Sequence, residues 1–220
     1  MSAHPTAPKK PRIEKLTLGG HDDGDPADLQ AFAHVERCRF SDLELADVDL
    51  SGLTIADCEL TTAAFDDVEL GGAKIFDSAL ANVIAPRWSM ARGSIRNVRV
   101  NGSRIGALDL FEAKIRSVEL TDCKLGLVNF RGSDVRDVAF RDCQIDELDL
   151  TEATATRVSF ENCRIGTLQL QGATLADVDL RDAAIDNLRH LDGLRGAAFT
   201  PDQVVRYSGH FAAHLGIVVA

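Results

Sequence analysis

His210 and His214 stand four residues apart, the spacing at which two imidazoles on one helix face can share a zinc ion. Cys123, Cys143 and Cys163 stand twenty residues apart, and a row of thiols can hold a soft metal or exchange electrons. The 34 acidic residues offer carboxylates for acid–base work. Each set lacks a part that its chemistry needs. Phe211 occupies the place where a zinc peptidase helix carries its general-base Glu, and no third ligand is evident. The five cysteines (Cys38, Cys58, Cys123, Cys143 and Cys163) contain no Cys-x-x-Cys pair, and their odd number predicts reduced thiols. No Gly-rich phosphate loop or nucleophile motif is present. The sequence therefore predicts no catalytic set, no metal site and no cofactor.

What positions these residues is a repeat. Every fifth residue from Phe40 to Ile185 is apolar: Leu45, Leu50, Ile55, Leu60, Phe65, Leu70, Ile75, Leu80 and onward to Leu180. Helices repeat every 3.6 residues and strands every two, so a period of five belongs to neither alone. Sustained over about 150 residues, it predicts a solenoid in which each unit buries its apolar residue against its neighbours. Two residues before each apolar position sits a second inward one, as in Val48, Cys58, Val68, Ala113, Val118 and Cys123. These sort into ladders with a period of twenty, such as Val98, Val118, Val138, Val158 and Val178. Four pentads thus make one coil. Coils stacked at about 4.8 Å give a rod about 36 Å long from Phe40 to His190. All five cysteines occupy the second inward position, where a small apolar side chain fits.

Units such as Val48-Asp49-Leu50, Ala113-Lys114-Ile115 and Val178-Asp179-Leu180 resemble the Ala-Asp/Asn-Leu-x-x pattern of the pentapeptide-repeat family. The resemblance implies an all-β solenoid, a right-handed quadrilateral β-helix of pentapeptide repeats with a short C-terminal α-helix. The middle residue departs from the pattern, being often Glu, Lys, Arg or Thr. The ending, with Gln203, Phe211-Ala212-Ala213-His214 and Leu215-Gly216-Ile217, is similar to that of the loop-free mycobacterial fluoroquinolone-resistance (gyrase-binding) type and of actinobacterial relatives. That likeness implies a homodimer joined through the C-terminal helix.

Three regions follow. Residues 1–28, with Pro5, Pro8 and Pro11 and low hydrophobicity, predict a flexible tail. Residues 29–199 are the β-helix, its first eleven capping the open N-terminal end. Residues 200–220 are a capping or dimerisation helix and end: Thr200 as N-cap, Pro201 at the first helical position, and Val204, Tyr207, Phe211 and Leu215 on one face. The phase slips by one residue near His190. Ala81–Gly93, with Pro86 and Trp88, predicts a bend or wider coil in which Trp88 is partly exposed. No apolar run of 18 residues predicts a membrane span, and Met1–Lys15 is not a secretory signal, so a cytoplasmic protein is expected.

Charge carries what the sequence says of function. The chain has net charge −10, with ten acids against Lys74 between Ser41 and Leu80. The middle is rich in arginine, from Arg87 to Arg141. Asp49, Glu69, Asp109 and Asp149 share one side as a candidate acidic interaction surface, while Arg104, Lys124 and Arg164 share a neighbouring one. The reading adopted is a non-enzymatic scaffold or regulator with an unknown protein partner. The alternative, implied by the resemblance, is a DNA mimic acting on DNA gyrase through stacked carboxylates and protecting it from fluoroquinolones. Direct nucleic-acid binding is opposed by the net charge.

Overall fold

The structure, a computed structural model, describes residues 7–219; the start of the expected tail, Pro5 included, lies outside them. Its strands form one parallel sheet wound into a solenoid of about nine turns, closed by a short C-terminal helix. Each strand from Cys38 to Arg189 lies beside the one twenty residues on: Phe40 beside Leu60, Val68 beside Trp88, Lys124 beside Gln144, Leu168 beside Leu188. That is the register of the sequence ladders. Inward residues fill a continuous core, with Phe140 and Phe160 stacked at 4.9 Å between ring centroids.

The pentads turn because the residue two places after the apolar one adopts positive φ. Asp122, Asp137, Asp142, Asn162 and Asp177 have φ of 54°, 55°, 53°, 49° and 56°. Asp and Asn tolerate this left-handed region, which explains their frequency there. One corner changes type along the rod. Asp47 and Asp67 turn it with φ of 53° and 50°. In the next coil their place is taken by Arg87, which follows Pro86 and has no positive φ, and later strands such as Arg104–Asp109 and Lys124–Asn129 run straight through. A Cβ at Gly106 or Gly126 would strike the carbonyl of Pro86 or Gly106 beneath it. The irregularity expected over Ala81–Gly93 is this change of corner. Trp88, expected to be partly exposed, is instead 6% exposed, edge-on to Phe65 at 5.3 Å. The straightened corner keeps it within the core ladder.

The inward cysteines and serines have a polar task. Cys58, Cys123, Cys143 and Cys163 each donate S–H to the carbonyl two residues back, at 3.2–3.3 Å. Ser78 and Ser103 do the same through their hydroxyls. All five cysteines are free thiols. Burial pushes the Cys58 thiol up, away from thiolate chemistry.

The last coil is one residue short: Val178 pairs with Ala197 and Asp179 with Ala198. Two short helices follow, α1 (Pro201–Arg206) and α2 (Ser208–His214). Thr200 and Gln203 form a capping box, and the Gln203 amide donates to the carbonyls of Leu180 and Ala183 at 2.8 and 2.9 Å. The Tyr207 hydroxyl accepts from Ile185 N–H at 3.1 Å and donates to its carbonyl at 2.9 Å. These side chains satisfy backbone groups that the missing next coil would have paired.

The N-terminal segment is not free over residues 9–24. It lies along one side of the solenoid and runs against the direction of coil growth. Lys9 N–H donates to Asp177 at 3.1 Å, Arg12 N–H to Asp137 at 2.8 Å and Glu14 N–H to Ser117 Oγ at 2.8 Å. Arg99 donates to the Glu14 carbonyl. His21 sits 3.1 Å from Asp57, and Asp22–Asp23 pair with Cys38–Arg39. Asp177, Asp137, Ser117 and Asp57 belong to one corner ladder, so this strap crosses successive coils at that corner. Composition suggested a tail because Pro and charge dominate it. Pro8, Pro11, Ile13, Leu16 and Leu18, however, are half-buried against the rod. Ala139 and Ser159 point outward yet are buried on the same side, small enough to let the strap pass.

Asp137 anchors the strap. It is 7% exposed and accepts both arms of Arg157 at 2.6 Å as well as the Arg12 N–H. Burial alone would raise its carboxyl, but the Arg157 guanidinium and the Arg12 N–H outweigh burial and hold it below the usual range. Asp137→Asn is expected to cost about 2 kcal/mol in urea denaturation and to speed amide exchange in residues 9–19. The carboxyl titrates lower folded than unfolded, where its value is about 3.9. Its contribution is therefore complete above the unfolded value and lost as pH falls through the folded one. Wild type and variant should converge in acid; a gap that persists there would refute the assignment.

Candidate interaction surfaces

The four acids expected on one side are on one side. Asp49, Glu69, Ser89, Asp109, Asn129, Asp149 and Gln169 stack in register, one per coil. They are not equally available. Asp109 accepts from Phe111 N–H at 3.2 Å and from the Asn129 amide at 2.8 Å. Asp149 accepts from Thr151 N–H at 2.8 Å and is half-buried. Both carboxylates therefore serve the corner that follows them. Asp49 is exposed, with the Ser51 hydroxyl and N–H holding its carboxyl below the usual range. Glu69 is also exposed, 3.8 Å from Arg87. Asp49 accepts its corner N–H from Ser51 as Asp149 does from Thr151 and differs in exposure, so it is solvent-exposed acid that is concentrated in the first coils, where Asp42, Glu44, Asp47, Asp66 and Asp67 are exposed as well.

Much of the arginine-rich middle is internally paired. Glu119 lies 3.1 Å from Arg99 and 2.7 Å from Arg141, which also reaches Glu161 at 3.2 Å. Arg96 reaches Asp77 at 3.4 Å and stacks over Phe76 at 5.3 Å. Arg136 binds Asp134 at 2.8 Å. The neighbouring ladder of Arg104, Lys124, Gln144 and Arg164 is also in register. Of these, Arg164 pairs with Asp186 at 2.9 Å.

The four residues expected on one helix face are split. The chain breaks at Tyr207, with φ −93° and ψ 7°, so α1 and α2 do not form one straight helix. Tyr207 is buried on the last coil, and Phe211 is half-buried. Val204 and Leu215 are exposed, and Val205, Ile217, Val218 and Val219 join them in an apolar end that periodicity did not single out. His214 lies 3.1 Å from Asp192, and His210 meets the Tyr207 ring edge-on at 6.1 Å. Among the described residues no three potential ligands converge on a metal position, and no helix is long and apolar enough to cross a membrane.

Residues 113–190 match the model of the pentapeptide repeat region. Among solved structures, a trypsin-treated form of QnrB1, a plasmid-mediated fluoroquinolone resistance protein, is similar over 88% of this chain and 94% of that chain, at 16% identity and a TM-score of 0.38. HetL, a pentapeptide repeat protein involved in heterocyst differentiation regulation from the cyanobacterium Nostoc sp. strain PCC 7120, is similar over 70% and 89%, at 12% identity and a TM-score of 0.34. No curated protein shows a significant match.

The two kinds of carboxylate should separate on substitution. Asp109→Ala removes two hydrogen bonds and is expected to cost about 1–2 kcal/mol, whereas Glu69→Ala should stay within about 0.5 kcal/mol. Chemical denaturation of both variants checks this, and equal losses would contradict the division.

Proposed function

We propose that this chain, a pentapeptide-repeat protein, is a non-enzymatic scaffold that binds a protein partner through its charged sides. The observation that carries this reading is the fixed register. Outward side chains stand at set heights on flat parallel sides, acid on one ladder and base on its neighbour, held by a continuous backbone lattice. Such a surface presents a charge pattern without first having to order itself, which lowers the cost of specific association. A cytoplasmic setting suits the five free thiols. Pairing of two copies at the apolar C-terminal end fits the same reading, because Val204, Val205, Leu215 and Ile217 are all exposed there.

A second reading has support from the exposed acids of the first coils. Asp49 and Glu69 stack directly, and the ladder continues through Asp109 and Asp149, which suits a duplex-shaped saddle such as that of DNA gyrase. Supercoiling by purified gyrase, titrated with this protein with and without a fluoroquinolone, decides between the two. The scaffold reading expects no change at stoichiometric excess. Inhibition or drug protection that disappears in the Asp49→Lys, Glu69→Lys variant would replace it with the second reading. Light scattering tests the pairing: the wild type should be dimeric and Val205→Asp, Leu215→Asp monomeric, and a monomeric wild type would remove that part.

A further inference from the structure

Where the corner straightens, the rod carries a trough of about 430 Å³. Its rim is the ladder Ile84, Arg104, Lys124 and Gln144, and its floor is Pro86, Gly106 and Gly126, with Asp146 lining the end beyond Gly126. Two observations at this place are unexplained by the fold. Ile84 is 58% exposed on a surface strand. Arg104 and Lys124 stand directly opposite each other on adjacent coils, exposed. Among the described residues neither has a carboxylate within ion-pair distance; Arg99, Arg141 and Arg157 on other sides have one, while Arg116, between Arg96 and Arg136, has none either. Like charges facing each other across a sheet destabilise it, so the fold bears an uncompensated repulsion here. The floor is bare because close approach of the carbonyls beneath admits only glycine at 106 and 126.

We propose that this trough docks a short acidic segment of a protein partner. An aliphatic or aromatic side chain of that segment would rest on Ile84 and Pro86, and its carboxylates would face Arg104 and Lys124. The proposal rests on the scaffold reading and gives it a site. Size and boundaries select the occupant. From the coil of Ile84 to that of Gln144 is about 14 Å, the length of about four extended residues. Acids bound the floor at both ends: exposed Asp66 stands one coil before Pro86, and exposed Asp146 lines the trough one coil beyond Gly126. A duplex or long single strand of nucleic acid would run its phosphates onto these acids, whereas a short acidic peptide fits between them. Charge complementarity would steer the encounter and the apolar anchor would hold it.

The test is panning of a random dodecapeptide phage library on the full chain, with counter-selection on the Arg104→Glu, Lys124→Glu variant. The most enriched peptide is then measured by fluorescence anisotropy. Enrichment of sequences joining a large apolar residue to Asp or Glu is expected. Affinity should fall roughly tenfold or more in the double variant and also in Ile84→Ser, while circular dichroism and melting stay unchanged. Both variants alter exposed side chains, and a variant that lost its fold would be replaced by Lys124→Ala for the same comparison. Tighter binding of an oligothymidylate of equal charge overturns the proposal. So does acid-rich binding that the double variant leaves intact. Enrichment of basic peptides that depend on Asp49 and Glu69 would overturn the trough while leaving the scaffold reading in place. No enrichment at all would count against both.

Discussion

The structure depends on one constraint: each coil hydrogen-bonds, parallel and in register, to the coil twenty residues on. Once that register is set, every side chain has a vertical neighbour of fixed identity about 4.8 Å away. Inside, this makes columns of aliphatic and aromatic residues. Outside, it makes ladders in which like charges would repel. In several ladders the chain avoids repulsion by alternation. Asn97 donates to Asp77 at 2.7 Å, Asn129 to Asp109 at 2.8 Å and Asn162 to Asp142 at 2.6 Å. Glu119 lies between Arg99 and Arg141, and Arg157 covers Asp137. Stacked like charges nevertheless remain, among them Asp49–Glu69, Arg104–Lys124 and the run Arg96–Arg116–Arg136. Such stacks are where function is sought, because something outside the chain can supply the missing counter-charge.

The regular part of the molecule was readable because its physics is periodic. A five-residue apolar spacing leaves one arrangement in which every apolar residue is buried, and the twenty-residue ladders matched the strand register through the unbroken coils. Thr200, Pro201 and Gln203 were readable for a different reason, since helix caps are local chemistry. Two things were not readable. Tyr207 falls on the apolar side of a helical wheel, but whether that side meets the rod or a second copy depends on where the helix lands. The strap was hidden because its partners are far away in sequence: Lys9 meets Asp177 and Arg12 meets Asp137. Its composition resembles that of a disordered tail, and its anchors resemble ordinary corner residues. The buried Ala139 and Ser159, small residues at outward positions, were the only trace available in the ladders.

A stack of coils is nearly one-dimensional, each coil touching only the next, so its ends can fray independently. The strap alters this by joining the first coils to those near the end through a single stretch of chain. Loss of the Asp177 or Asp137 contact at one end is felt at the Cys38 strand at the other, because the same segment holds both. Rigidity along the rod keeps the outward ladders at constant height, and constant height is what a partner reads.

The direction of the strap also sets an order of events during synthesis. Residues 9–14 leave the ribosome before the coils do, yet the side chains that receive them lie at Ser117, Asp137 and Asp177 and emerge much later. The coils can therefore wind one after another on the nascent chain while the strap waits unseated, and it closes only when the distal coils exist. A chain that stops short of Asp177 can wind most of its coils but cannot finish the closure. The seated strap thus records that translation ran through the distal coils, and an exposed proline-rich N-terminus marks a chain that did not get there.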